Sequence, residues 1–185
     1  MVGKTSLLQQ FNTKEFTENT ESTVGAVFAS REIDTPHGAI KLCMWDTAGQ
    51  ERYKSLIPMY ARNAYAALLV VDVSRIETYE SREKWYELLT NYCPKACKIY
   101  VIANKMDKDC VIPLGDLELW ANELGHPFFK TCAANYESVE PVFKKVACDI
   151  AEMNAVKQLV FEDENSPTLR LTDTTPGDQK KKQCC

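Results

Sequence analysis

The sequence has no long apolar run, no excess of positive charge and few histidines. The longest continuous apolar stretch, residues 64–71, is far short of the ~20 residues that span a bilayer. No basic segment followed by an apolar one opens the chain, so no export signal is read. The net charge of −4 argues against a nucleic-acid binder held by phosphate neutralisation. Cys93 and Cys97 are the one close internal cysteine pair. No second pair or nearby histidine completes a tetrahedral zinc site around them. No internal repeat is evident.

What is there suits one domain with a tail. The chain has 185 residues, 45% hydrophobic and 26% charged. That supplies a sizeable core and excludes wholesale disorder. The eight cysteines are Cys43, Cys93, Cys97, Cys110, Cys132, Cys148, Cys184 and Cys185. A chain this large and apolar needs no disulfide framework, so reduced thiols are expected.

Periodicity predicts a helix over 4–13, with Leu7, Leu8 and Phe11 on one face. A polar loop follows over 14–24. Two strands, 25–34 and 39–46, flank the turn signal Thr35-Pro36-His37-Gly38 and so form an antiparallel hairpin. A loop with a short helix covers 47–62. The apolar run 66–73 reads as a strand buried on both faces. Then come a helix near 78–91, strand 98–103, helix 115–124, strand 126–132 and helix 137–159. Strands alternating with helices predict an α/β fold with a mostly parallel sheet covered on both sides. The expected division is a domain over 1–160 and a disordered tail over 161–185, where the composition turns polar.

Four separated pieces carry chemistry. Gly3-Lys4-Thr5 opens the first helix and matches the end of the phosphate loop G-x-x-x-x-G-K-[ST]. In such a loop the Gly admits the backbone, the Lys neutralises phosphates and the hydroxyl binds Mg²⁺. The helix N-terminus adds partial positive charge. Alone, this tripeptide is a weak signal. Trp45-Asp46-Thr47-Ala48-Gly49-Gln50-Glu51 follows a strand. There an Asp can support Mg²⁺, a Gly N–H can touch a γ-phosphate and a Gln can orient water. Asn104-Lys105-Met106-Asp107 follows the strand at 98–103. A carboxylate there can accept two hydrogen bonds from the N1–H and N2–H₂ edge of guanine, an edge adenine lacks. Thr131-Cys132-Ala133-Ala134 follows the last strand, where a main-chain N–H could hold guanine O6.

Taken in order and spacing, these motifs over roughly residues 1–156 resemble a small GTPase of the Ras superfamily, with its P-loop NTPase sheet. Trp45 with Glu51-Arg52-Tyr53 resembles the Rab branch. Residues 22–26 (STVGA) and 53–60 (YKSLIPMY) resemble its early-endosomal members.

The resemblance implies a GTP/GDP switch that hydrolyses GTP with Mg²⁺. Gly3, Lys4, Thr5, Ser6 and Gly49 would meet the phosphates. Thr5, Thr23 and Asp46 would bind or support Mg²⁺, Thr23 only in the GTP state. Phe16 would pack on the guanine. Asn104, Lys105, Asp107, Cys132, Ala133 and Ala134 would hold the base. Gln50 would position the attacking water, and an accelerating protein would add an arginine worth about 10³–10⁵ in rate. Phe28, Trp45 and Tyr60 match an aromatic triad that Rab proteins present to effectors. Cys184 and Cys185, behind Lys180-Lys181-Lys182, resemble a doubly prenylated terminus. The implied partners are effectors, an exchange factor, a GTPase-activating protein, a prenyl-binding chaperone and a membrane. The implied location is the cytoplasmic face of endosomal membranes with a cytosolic pool, in service of vesicle trafficking.

The sequence departs from the family pattern in three places. Cys132-Ala133-Ala134 replaces Ser-Ala-Lys, so a hydroxyl and an ammonium that brace the loop are expected to be lost, with somewhat weaker guanine affinity. Asn63 stands where Rab proteins usually carry Gly, and a left-handed backbone is expected to persist there. Only the last five of eight phosphate-loop positions are present, Met1 to Thr5. The first central strand and the start of the loop are thus expected to be missing, with an internal methionine at position 1. Weak nucleotide binding by the present chain follows. The alternative is a short, non-cycling interaction protein or decoy on the same fold.

Overall fold

The computed structural model describes residues 1–18, 23, 25–49 and 55–164, with side chains up to 155. Helix α1 (Lys4–Thr13) leads to strands β1 (Ala26–Thr35) and β2 (Gly38–Thr47), the short helix α2 (Ile57–Ala61) and strand β3 (Ala66–Asp72). Helices α3 (Ile76–Glu80) and α4 (Arg82–Tyr92) precede β4 (Lys98–Asn104), α5 (Leu114–Glu123), β5 (Phe128–Thr131) and α6 (Tyr136–Glu164). Helix α6 continues beyond residue 160 into the segment expected as tail.

The described residues form two sheets. β1 and β2 make an antiparallel ribbon, in register from Ala26↔Thr47 to Thr35↔Gly38. Its turn is closed by Thr35 Oγ1, which donates to the Gly38 carbonyl at 2.6 Å. The second sheet is parallel, in the order β3-β4-β5. Among the described residues, no strand pairs with the second edge of β2 or of β3. That arrangement matches the expected α/β fold with a parallel sheet, an antiparallel hairpin and helices.

β4 organises the interior because alternate side chains point to opposite faces. Tyr100 and Ile102 join Leu7 and Phe11 of α1, Ile33 and Leu42 of the ribbon, and Val139, Val142, Phe143 and Val146 of α6. The α6 residues recur at helical spacing, which places them on one face. The Phe11 and Phe143 rings stack at 4.1 Å. Ile99, Val101 and Ala103 face the other way, onto Leu69, Val71, Leu117 and Ala121.

Three local expectations are corrected. The helix expected near 78–91 is two helices, joined at Ser81. The Ser81 hydroxyl bonds back to the Thr78 carbonyl, a local bond that competes with the helix ladder. The last strand is shorter than 126–132, because Pro127 brings no N–H to the ladder; its carbonyl accepts from Val101 N–H at 2.9 Å instead. Asn63 does not adopt a left-handed backbone. The turn after α2 is instead closed by Ala64 N–H donating to Ala61 O at 3.0 Å.

Candidate functional site

The C-terminal ends of the parallel strands carry a row of buried polar side chains. Asp72 pairs in register with Asn104, and Asn104 with Thr131. All three are fully buried. Thr131 Oγ1 donates to Asn104 Oδ1 at 3.0 Å. Asn104 Nδ2 donates to the Val2 carbonyl at 2.9 Å. Asn104 thus ties the start of the chain to the last strand. In parallel α/β sheets ligands bind at this end.

Gly3 caps α1 in a left-handed conformation, φ 89°. A Cβ there would lie 2.6 Å from Asn104 Nδ2. Glycine therefore answers both the dihedral and the close approach. The left-handed turn sends Lys4 toward Gly49, where a Cβ would lie 2.6 Å from Lys4 Nζ. Burial holds the Lys4 ammonium below its ordinary pKa, opposed by the nearby Asp46 carboxylate. Ser6 is buried in the same first turn.

Thr5, Thr23 and Asp46 converge beside Lys4. Thr5 Oγ1 donates to Asp46 Oδ2 at 2.6 Å and lies 2.7 Å from Thr23 Oγ1. Thr23 Oγ1 donates to the same carboxylate oxygen at 3.3 Å. Asp46 Oδ1 is buried and has no hydrogen-bond partner among the described residues. A buried, unpaired carboxylate oxygen calls for a donor or a cation. One carboxylate with two hydroxyls suits Mg²⁺, which takes few protein ligands and completes its shell with water and phosphate oxygens. Among the described residues, no cluster of three His, Cys, Asp or Glu offers a rival metal site.

The second half of the site is the loop after β4. Lys105 has a positive φ of 67°. Its ammonium lies 2.5 Å from Asp72 Oδ2 and donates to the Met1 carbonyl at 3.1 Å. Asp107 is exposed. Met106 N–H donates to the Thr131 carbonyl at 3.1 Å, which holds this loop against the loop after β5. There Cys132 N–H donates to Ser138 Oγ at 3.0 Å, and Ala133 is buried. Burial and then a hydrogen bond to Asp107 push the Cys132 thiol above its ordinary pKa.

The other expected residues fall elsewhere. Phe16 is exposed beyond the end of α1. Phe28 and Trp45 are cross-strand partners with ring centroids 5.1 Å apart, and Trp45 and Tyr60 are 4.9 Å apart. Phe28 and Trp45 are each about half exposed, at 51% and 52%. Gln50, Cys184 and Cys185 lie outside the described residues. Sequence reasoning missed Asp72, Thr131 and Ser138 as supports. The one signal for Asp72 and Thr131 is a polar residue closing an apolar strand.

The family model described as Ras family matches residues 1–152 of the chain.

Proposed function

Because the chain belongs to the Ras family, whose members are small GTPases, we propose that it is a Rab-type guanine-nucleotide switch. In this reading it hydrolyses GTP to GDP and recruits effectors to endosomal membranes in vesicle trafficking. The observation that carries it is the meeting of Thr5, Thr23 and Asp46 around an unpaired buried carboxylate oxygen, beside Lys4 and Gly49.

The residues divide the work. Lys4 neutralises phosphate charge, and a bound phosphate would return its ammonium toward its ordinary pKa. Gly49 leaves its N–H open to a γ-phosphate. Thr5, Thr23 and Asp46 would hold Mg²⁺, which would supply neutralising charge to the phosphates. Asp107 accepts from guanine N1–H and N2–H₂, with Cys132, Ala133 and Ala134 closing the base pocket and Phe16 covering its face. Asn104 and Lys105 hold the two loops in place. Gln50 orients the attacking water.

The cluster of half-exposed Phe28 and Trp45 with the partly buried Tyr60 supports a protein-binding surface. It sits on the ribbon and α2, next to the segment that carries Gly49, so nucleotide state can reach it. Residues 1–160 form the switch domain in this reading, and 161–185 a tail. Geranylgeranyl groups on Cys184 and Cys185 would anchor the tail to the cytoplasmic face of the membrane, at about 0.8 kcal/mol per buried CH₂. Lys180, Lys181 and Lys182 would add attraction to anionic lipid. A prenyl-binding chaperone would maintain the cytosolic pool.

The test is equilibrium binding of fluorescent GDP and ATP analogues to the full chain, with Mg²⁺ and with EDTA, alongside phosphate release from GTP. Guanine-selective, Mg²⁺-strengthened binding is expected. Asp107→Asn should shift preference from guanine to xanthine nucleotide. A folded chain that binds no guanine nucleotide would favour the non-cycling interaction protein.

A further inference from the structure

Gln10 is a polar side chain on the apolar face of α1. It lies between Leu7 and Phe11, and like them it is buried, at 4% exposure. An amide in such a place costs stability unless it is hydrogen-bonded. Its neighbours fix its orientation. Nε2 donates to the Glu15 carbonyl at 3.1 Å, and Oε1 accepts from Tyr136 N–H at 3.1 Å. Tyr136 is the first residue of α6, where an N–H has no partner within its own helix. Glu15 lies past the end of α1, next to Phe16. One buried amide thus joins two segments far apart in sequence.

The same segments also meet through side chains. Lys14 closes α1 with a left-handed backbone, φ 60°, and its N–H donates to the Gln10 carbonyl at 3.0 Å. Its ammonium lies 4.6 Å from the centre of the Tyr136 ring. Tyr136 Oη donates to Glu140 Oε1 at 3.0 Å. The loop before Tyr136 is closed by its own bonds. Asn135 N–H donates to the Cys132 carbonyl at 2.9 Å, and Cys132 N–H to Ser138 Oγ at 3.0 Å. A shift of the Tyr136 backbone therefore carries Ala133 and Ala134 with it.

We propose that Gln10 is a positioning residue for the guanine site, clamping the segment that carries Phe16 to the loop that carries Ala133. The inference rests on the guanine-binding reading proposed for this chain. In that reading Phe16 covers the face of the base and the loop 132–134 closes its pocket. Gln10 acts through those two segments, while Lys4, Thr5 and Asp46 serve the phosphates and Mg²⁺ from the other end of α1.

The test compares the full wild-type chain with Gln10→Met, which keeps the volume and removes both hydrogen bonds. Fluorescent GDP and ADP analogues are titrated with Mg²⁺ and with EDTA, and amide exchange is followed by NMR. In the nucleotide-free wild type, Tyr136 N–H should exchange at least about tenfold more slowly than an unfolded-peptide amide, and Gln10→Met should abolish that protection. GDP affinity should fall at least about tenfold in Gln10→Met, and the preference for GDP over ADP should fall with it. The strengthening by Mg²⁺ over EDTA should stay within about twofold, because the phosphate half is distant from the change. A merely structural role would lower the melting temperature and leave the GDP-to-ADP preference as it was. Unchanged GDP affinity and preference would overturn the proposal. So would an unprotected Tyr136 N–H in the wild type, a measurement that needs no variant and holds if Gln10→Met does not fold. A wild type that protects Tyr136 N–H but binds no guanine nucleotide would overturn the guanine reading itself, and with it the role of the clamp.

Discussion

The ammonium of Lys105 lies 2.5 Å from Oδ2 of Asp72, a carboxylate with no solvent exposure at the end of the neighbouring strand. The pair joins two strand ends, and Lys105 also holds the Met1 carbonyl. Burial alone would raise the Asp72 pKa. Hydrogen bonds from Lys105 and Ser74 more than offset it, so the carboxyl sits below its usual range. Asp72 thus positions Lys105 and through it the chain leading into Gly3.

Asp72→Asn keeps the shape and removes the charge. Breaking one side of a buried pair costs about 3–5 kcal/mol, so a fall in melting temperature is expected. Guanine-nucleotide affinity should fall with it. Urea denaturation and nucleotide titration of the same preparation check both. Unchanged stability would show that the ion pair contributes nothing.

Gly49→Ala acts on binding more than on stability. Its Cβ would lie 2.6 Å from Lys4 Nζ, so the ammonium must move off the place where it meets phosphate. The far end of a lysine moves at little cost to folding. The expected outcome is a near-normal melt with nucleotide binding weakened at least about tenfold, since a hydrogen bond to a charged group is worth about 1.5–3 kcal/mol. Isothermal titration and calorimetry separate the two effects. An unaltered affinity would place Lys4 outside the phosphate site.

A buried carboxylate far from the site makes the stability depend on pH. Asp149 accepts from Tyr100 Oη at 2.7 Å and from Lys145 Nζ at 2.7 Å, with Lys98 Nζ at 3.4 Å. Burial opposes the charge, yet the Lys145 and Tyr100 hydrogen bonds bring its pKa below the usual value. A depressed carboxyl stabilises the fold at every pH above its unfolded pKa of about 3.9. That contribution is lost as pH falls through the lower folded value. Burial, and then Asp149, keep the Tyr100 phenol protonated well above its ordinary pKa. Tyr100→Phe should cost about 1.5–3 kcal/mol at pH 7. Part of this cost should disappear as pH falls through the lowered folded-state pKa of Asp149, below which the carboxyl is neutral. Denaturant melts across that range provide the measurement.

Trp45→Ala should cost little. A buried Trp→Ala change costs about 3–5 kcal/mol, but Trp45 is 52% exposed. Its contacts with Phe28 and Tyr60 are surface ring pairs, worth about 0.5–1.5 kcal/mol each. A loss near 1–2 kcal/mol by chemical denaturation would mark the triad as a displayed surface. A loss above about 3 kcal/mol would make it core.

Most of the fold was legible because its signals are local. The run 66–73 and the strand 98–103 announce themselves by apolar density, and the hairpin by its turn residues. Helix α1 reads from Leu7, Leu8 and Phe11. The break at Ser81 was not legible, since it depends on a serine side chain choosing a backbone carbonyl over solvent. In the site, Gly3-Lys4-Thr5 and Asp46 could be named from motif spacing. Thr23 lies in a polar loop with no periodicity of its own, so its meeting with them was legible only through the family resemblance. The support Asp72 escaped because it ends an apolar strand and reads there as an ordinary terminus, and Thr131, though it opens the fourth motif, carried no role of its own. Only the sheet register shows that they flank Asn104.

The two apolar clusters divide the molecule unequally. One ties the β1–β2 ribbon to β4 through α1 and α6; the other lies wholly among β3, β4 and the helices on their far side. The ribbon is therefore held through one face, and the parallel sheet through both. Cooperative units opening at different free energies follow from such a division. Amide hydrogen exchange should find β4 opening only with global unfolding, while the ribbon opens earlier. The segment that carries Phe28, Trp45 and Asp46 then has room to respond to what binds beside it, on a base that does not yield.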